Sequence, residues 1–317
     1  MNSNNPSDYQ LSESMNSSYF KNHILKKLEQ RFDMKSSNKP TAYFTAGLPG
    51  AGKSKVLNQW EQEKKDILVI DVDEFRKEHP FNTKILERFG TKASEVTQKD
   101  ASKWAMLTRN EALQHKIDYI LDSTMRNPKS AEFEIKKAQD QGYNIEVKML
   151  AVNEFESLEG VFNRYALQYE HNSKEARFVD PSFIKESKES ILESIDTIDK
   201  LNVNKFTIVN RDMDILYDQS KNYQQSPKKI IQEKTDLKNW DKSKIDKLVE
   251  NWNRVVAKLE NIKAPQTIQE SAKNIKKDLI DQLKSLQKNK PKFNEQKRNQ
   301  VLEKLQKGKE KNKGIER

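Results

Sequence analysis

Gly47-Leu48-Pro49-Gly50-Ala51-Gly52-Lys53-Ser54 decides the fold of this chain. It matches G-x-x-x-x-G-K-[ST], a loop whose backbone N–H groups turn inward around phosphate oxygens. The chain has eight glycines, and three of them fall between Gly47 and Gly52. Glycine lets the backbone curl this tightly. Lys53 can reach the β- and γ-phosphates of a nucleoside triphosphate, and the Ser54 hydroxyl can ligate Mg²⁺. A glycine-rich turn before a helix is the plainer alternative, and the flanks argue against it. Thr41-Ala42-Tyr43-Phe44-Thr45-Ala46 reads as a buried strand, and Lys55-Val56-Leu57-Asn58-Gln59-Trp60 can start a helix. Strand, loop and helix in that order is the setting such a loop requires. The phosphate site is therefore assigned to Gly47, Gly50, Ala51, Gly52, Lys53 and Ser54.

Working outward, five apolar runs have strand length: Tyr43–Ala46, Ile67–Ile70, Tyr119–Leu121, Val147–Val152 and Phe206–Val209. Helical stretches separate them, and Gly142 sits where a helix would stop before the fourth. Strands alternating with helices predict an α/β fold of P-loop NTPase type, a parallel sheet flanked by helices. Ligands of such sheets lie at the carboxyl ends of the strands. Two of those ends are acidic. Ile70-Asp71-Val72-Asp73 follows the second strand; alternation puts both aspartates on one side if the strand continues, or one of them caps the next helix. Asp122-Ser123-Thr124-Met125-Arg126-Asn127 follows the third, where Asp122, Thr124 and Arg126 can bind a sugar or a metal-bound water. Thr124 and Asn127 are equally at home in a turn and a cap. Arg164 and Arg177 lie in a polar segment after the fourth strand. They are either solvated surface or phosphate clamps that offset charge on a transferring phosphoryl group.

The ends of the chain differ from its middle. Residues 1–10 are expected to be disordered, and Phe20, Ile24, Leu25 and Leu28 mark a helix within 11–34. Residues 221–317 carry 26 Lys and Arg against 13 Asp and Glu, a net of +13; residues 1–220 carry 32 against 35, a net of −3. No strand-like run follows residue 221. Ile245, Leu248, Trp252, Val255, Leu259 and Ile262 repeat at 3-4 spacing, Pro265 interrupts, and Ile268 to Leu286 continue the pattern. This predicts an all-α C-terminal extension over 221–306, a helical hairpin plus a short third helix after Pro291, with 307–317 disordered. The P-loop part, 11–220, is expected to stand alone. The basic extension can meet an acidic protein or a membrane surface, or be no more than a lysine-rich solvated face. Nucleic acid is not an expected partner.

Composition bounds the rest. The 317 residues are 34 % hydrophobic and 33 % charged, enough for one good core and a thinner satellite. No apolar run approaches 18 residues, and the N-terminus lacks a secretory pattern. Zero cysteines excludes disulfides and a cysteine nucleophile, and four histidines disfavour a zinc site. A cytoplasmic setting is expected, with export as a secreted effector left open.

Taken in order, the Leu11–Leu28 helix, the Gly47–Ser54 loop, Ile70-Asp71-Val72-Asp73-Glu74-Phe75-Arg76-Lys77-Glu78-His79-Pro80, Ala93–Gln98 with Trp104, Leu121–Pro128, Arg164-Tyr165 and Arg177 resemble the zeta-toxin family of P-loop kinases. The resemblance spans about residues 11–220. It implies ATP- and Mg²⁺-dependent phosphorylation of the 3′-hydroxyl on the amino sugar of UDP-N-acetylglucosamine, and a small helical antitoxin as partner. It makes Asp73 the base, Lys53 and Ser54 the phosphate and Mg²⁺ contacts, Arg164 and Arg177 the clamps, and Asp122, Thr124 and Arg126 the contacts to the nucleotide sugar or the metal side. This chain departs from the pattern at Asp122, where many members have glutamate, at Val72 between the aspartates, and at Met106, where some members have a substrate-contacting glutamate. Two other readings stay open: a kinase of another nucleotide or cofactor hydroxyl, and a nucleotide-binding interaction protein acting through its helical tail.

Overall fold

The computed structural model describes residues 5–173, 176–222 and 224–289. The chain opens with helices α1 (Glu13–Tyr19) and α2 (Leu25–Arg31), joined without a break by one π turn over Phe20–Ile24. Asn16, Phe20, Ile24 and Leu28 are all buried. A four-residue spacing drifts around an ordinary α-helix, and one wider turn keeps these side chains on one face. Then come β1 (Thr41–Ala46), α3 (Lys53–Glu63), β2 (Leu68–Ile70), α4 (Val72–Lys77), α5 (Asn82–Phe89), α6 (Ala93–His115), β3 (Tyr119–Leu121), α7 (Pro128–Asp140) and β4 (Asn144–Leu150). The second half holds α8 (Glu154–His171), α9 (Pro181–Lys200), β5 (Lys205–Val209), β6 (Ile215–Asp218), α10 (Gln219–Asn222), α11 (Pro227–Thr235), α12 (Lys242–Asn261) and α13 (Gln266–Asn289).

The sheet runs β2-β3-β1-β4-β5-β6. The first five strands are parallel, as the alternating pattern requires, and β6 is antiparallel to β5. β1 is central: Phe44 pairs with Leu121 on one side and Val147 on the other. Ala42 to Ala46 are all buried, because helices cover both faces of a parallel sheet. Gly142 ends the helix before β4 in the left-handed region, with φ 77°. The carboxyl ends of β1, β2 and β3 thus deliver Gly47, Asp71 and Asp122 to one edge.

Three expectations change. Sequence reading missed β6, a short edge strand with a bulge at its pairing to β5. Residues 5–10, expected to be disordered, are ordered: Pro6–Tyr9 form one 3₁₀ turn, and Tyr9 is buried with Ile85, Ala93 and Val96, edge-on to Phe81 and Phe89. The Asp100 carboxylate fixes the next turn, accepting from the Leu11 N–H (3.2 Å) and the Asn16 amide (2.6 Å). Residues 1–4 lie outside the described residues. The boundary near 221 is a change of composition and not a break in packing. The first compact unit runs to Lys273, and α12 packs on α8, with Leu248, Trp252, Val255 and Leu259 buried. The second unit begins at Asn274 and its described part is helix. The expected third helix after Pro291 and the tail 307–317 lie outside the described residues. No described helix is long and apolar enough to cross a membrane.

Candidate active site

The loop after β1 takes the shape its glycines allow. Gly47, Gly50 and Gly52 have φ of 132°, 73° and 102°. A Cβ on Gly47 would stand 2.8 Å from the Leu150 carbonyl oxygen, and one on Gly50 would overlap the Ser157 carbonyl. Gly52 opens α3 without a side-chain cap, which leaves the first N–H groups of the helix facing the loop. Lys53 Nζ lies over this cradle and donates to the carbonyls of Gly47 and Leu48, both at 3.3 Å. Burial lowers its pKa, against the pull of the Asp122, Asp73 and Asp71 carboxylates. Ser54 is exposed at the helix start.

The back of the loop is held by residues that sequence reading did not single out. The Ser157 hydroxyl donates to the Pro49 carbonyl at 2.6 Å. Arg211, in the β5–β6 turn, donates through Nη2 to the carbonyls of Gly50 (2.8 Å) and Glu156, and through Nη1 to the Glu159 carboxylate. Gly160 packs so closely that a Cβ there would overlap the Gly50 carbonyl oxygen. A glycine inside an otherwise good helix, in a chain with few glycines, was the available signal.

The acidic edge is built differently from the strand-alternation expectation. β2 ends at Ile70, so Asp71 and Asp73 do not share a strand face. Asp71 is the N-cap of α4, its Oδ1 accepting from the Asp73 N–H at 2.8 Å, and Asp73 lies in the first turn. Burial and the nearby Asp122 and Asp73 carboxylates push the Asp71 pKa up to about 6. Burial would also raise Asp73, but the Arg177 and Arg76 guanidinium groups hold its carboxyl below the usual range. Arg76 Nε donates to Asp73 Oδ1 at 3.1 Å, and Arg177 pairs with the same oxygen. Arg76 also grips the start of α6 through the Ser94 carbonyl and the Gln98 amide oxygen, which explains why the Ala93–Gln98 segment belongs with the aspartates.

Arg164 stands on α8. Its Nε is buried and has no hydrogen-bond partner among the described residues. Burial and then the Arg177 charge lower its pKa, against the pull of the Asp73, Asp122 and Asp71 carboxylates. An orphaned cationic donor facing Asp73, Asp122 and Lys53 is suited to an anion. Asp122 Oδ1 accepts from the Thr45 hydroxyl at 2.6 Å, and the Thr124 carbonyl accepts from the Gly47 N–H at 3.2 Å. Arg126 is exposed and places its guanidinium 4.3 Å from the Phe183 ring centroid. The Asp71, Asp73 and Asp122 carboxylates all act on the Lys53 and Arg164 cations, and the Arg177 charge acts on Asp73 and Arg164.

The Zeta toxin family model matches residues 25–222, well over half of the chain. Toxin PezT of Streptococcus pneumoniae is 23 % identical over 192 residues, covering 59 % of this chain and 75 % of PezT. Toxin zeta of Enterococcus hirae is 20 % identical over 222 residues, 69 % of this chain and 78 % of that toxin. The structure of the S. pneumoniae PezAT chromosomal toxin-antitoxin system aligns with a TM-score of 0.67 at 22 % identity, over 80 % of this chain and 98 % of that one. The AvrRxo1-ORF1:-ORF2 complex aligns at 0.52 and 14 %, over 86 % and 91 %. Structural likeness at these identities speaks to fold, and the fold, the P-loop and the family match agree: this chain belongs to the zeta-toxin family, with a kinase-type P-loop fold.

Proposed function

We propose that this chain is an ATP-dependent kinase that transfers the γ-phosphoryl group to a sugar hydroxyl of a nucleotide sugar such as UDP-N-acetylglucosamine. The observation that carries the kinase reading is the buried, unpartnered Arg164 Nε, close enough to Lys53 of the P-loop and to the Asp73 carboxylate for their charges to interact. In the transfer, the bond from the γ-phosphorus to its bridging oxygen breaks and the acceptor oxygen bonds to phosphorus. The acceptor proton passes to Asp73. Such transition states are loose, so catalysis is mostly positioning and charge stabilisation. Lys53, Arg164 and Arg177 meet the charge on the equatorial oxygens. Asp73, kept ionised by its arginines, accepts the hydroxyl and orients it.

Mg²⁺ fits this edge. The Ser54 hydroxyl is exposed at the start of α3, and the Asp71, Asp73 and Asp122 carboxylates gather negative charge that a divalent cation would offset. Such an ion keeps several waters and needs few protein ligands, so the lack of a three-residue metal cluster among the described residues is compatible with it. When bound, it would neutralise charge on the phosphates.

PezT and PezAT carry toxin and toxin-antitoxin in their names, which supports an antitoxin as partner here; that it is small and helical is part of the proposal. One observation favours a second reading, a kinase with a different acceptor. Met106 is 43 % exposed on α6, and a thioether is a poor acceptor for a sugar hydroxyl. Purified protein with Mg-ATP and a panel of sugar nucleotides tests both. Phosphorylated UDP-N-acetylglucosamine detected by mass spectrometry supports the first reading, and turnover only with another acceptor supports the second. No phosphorylated product from the panel or from cell extract would refute the kinase reading.

A further inference from the structure

We propose that Trp252, in the helical extension beyond the family-matched residues 25–222, is a positioning residue that holds Arg177 in the active site through the aromatic side chains of α8; the catalytic part of this inference rests on the kinase reading. Trp252 is fully buried. Its indole N–H donates to the Phe155 carbonyl at 3.2 Å, in the first turn of α8. Its ring lies 5.7 Å from that of Phe162, which meets Phe178 edge-on at 5.1 Å. Phe178 also meets Tyr165 edge-on at 5.5 Å.

Phe178 is the residue after Arg177. Residues 176–180 run without regular secondary structure between α8 and α9. Side chains must therefore place this stretch. Ala176 is buried, the Arg177 N–H donates to the Gln168 side chain at 3.0 Å, and the Phe178 ring is wedged between Phe162 and Tyr165. Arg177 then reaches the Asp73 carboxylate. Edge-on aromatic pairs are directional, so a displaced Phe162 releases the wedge. Lys258 of α12 pairs with Glu170 of α8 at 2.9 Å, pinning the same two helices further along. The extension thus acts through α8 on the residue that sets the charge at Asp73.

The test uses the full chain. Trp252→Leu removes the ring, Trp252→Phe keeps a ring without the N–H, and Phe178→Leu removes the wedge from the near side. Circular dichroism and thermal melting establish which variants are folded. The Asp73 carboxyl is titrated by ¹³C NMR without substrate, and kcat and KM are measured with Mg-ATP. Trp252→Leu and Phe178→Leu should each raise the Asp73 pKa toward its ordinary value. Each should lower kcat at least tenfold with KM for ATP changed less than threefold, and Trp252→Phe should recover most of both. Unmoved Asp73 titration in whichever Leu variant folds overturns the proposal. So does a kcat loss matched by an equal rise in KM, which would mean general loosening. The titration needs no turnover, so a wild-type chain without kinase activity whose Asp73 still responds to Trp252→Leu would refute the kinase reading and leave the placement of Arg177 standing.

Discussion

Removing the Arg211 side chain should destabilise the P-loop from behind. Three groups lose a donor in Arg211→Ala: the Gly50 carbonyl, the Glu156 carbonyl and the Glu159 carboxylate. The Glu159 side chain is only 9 % exposed and that of Arg211 22 %. Breaking a buried charge pair by deleting one partner costs about 3–5 kcal/mol. Partial exposure puts this case at the low end, about 3 kcal/mol. The Lys55 ammonium still reaches the main-chain carbonyl of residue 211, at 2.8 Å in the native chain, so that contact survives. With roughly 2–4 °C lost per kcal/mol for a domain of 150–250 residues, the melting temperature should fall by about 6–12 °C. Gly50 loses its rear anchor, and ATP affinity should fall roughly tenfold, the equivalent of about 1.4 kcal/mol. The assay is a double-mutant cycle of Arg211→Ala and Glu159→Ala, read by denaturant unfolding and by ATP titration. A direct pair should show a coupling energy between about 1 and 3 kcal/mol. Additivity within about 0.3 kcal/mol, or unchanged ATP affinity in Arg211→Ala, would refute the claim that this pair supports the loop.

Lys53→Ala should abolish phosphoryl transfer with little change in melting temperature, since the ammonium contacts only loop carbonyls; normal turnover would end the assignment. The Asp71 carboxyl, raised from 3.8 to about 6, binds more protons in the folded chain than in the unfolded one between those values, so its contribution to stability falls as pH rises through that window. Asp71→Asn keeps the cap acceptor and removes that penalty. The variant should be more stable than wild type above pH 6, by up to about 3 kcal/mol, with the gap closing toward pH 4; a gap of opposite sign in urea unfolding at pH 7.5 would sink the reasoning. Arg177→Lys should lower kcat at least tenfold, because an ammonium cannot span two oxygens in a planar fork, whereas full activity would return Arg177 to a surface role. A chain ending at Asn222 loses the buried Leu248, Trp252, Val255 and Leu259, about 6–12 kcal/mol at roughly 1.5–3 kcal/mol each. It should aggregate or melt at least 10 °C lower, and a well-folded, ATP-binding truncation would show that α12 is dispensable.

Much of this fold was legible because its signals are local. Gly47, Gly50 and Gly52 announce a backbone shape in their own residue types, and the continuous apolar runs mark strands covered on both faces. What escaped was set by distant partners. Tyr9 sits in a polar N-terminal segment, and nothing nearby says that Phe81 and Phe89 will cover it. The seam of α12 fits any apolar groove, so its spacing says that it is buried but not that α8 receives it. β6 has one buried side chain, Tyr217, among exposed or half-buried neighbours, too little for a periodic signal. Asp71 and Asp73 were recognised as an acidic pair, but which one caps α4 depends on where β2 stops. Arg211 is a lone arginine in a polar turn, and only the folded chain brings it to Gly50.

The two halves of the candidate site differ in what holds them, and that bears on which substrate each can take. The donor half rests on main-chain geometry: positive-φ glycines, the open N-terminus of α3, and carbonyls fixed by Ser157 and Arg211. Backbone of this kind tolerates little variation and grips any triphosphate alike. The acceptor half rests on single side chains, and several are already engaged. Asp122 is tied to β1 by the Thr45 hydroxyl, whose oxygen also accepts from the Ser123 N–H at 2.9 Å. Asp122 is one methylene shorter than glutamate, so its carboxylate stays near the sheet edge rather than reaching outward. Arg126 leans on Phe183 at the start of α9, and Met106 is exposed on α6, at the position that the family resemblance gives to a substrate-contacting carboxylate. On the kinase reading proposed above, a site arranged this way would keep its phosphate chemistry while leaving acceptor choice to a few substitutable contacts. Replacing Met106 with glutamate should therefore raise kcat/KM for a nucleotide sugar while leaving ATP affinity unchanged; an equal change in both would mean that the two halves are not separable in this way.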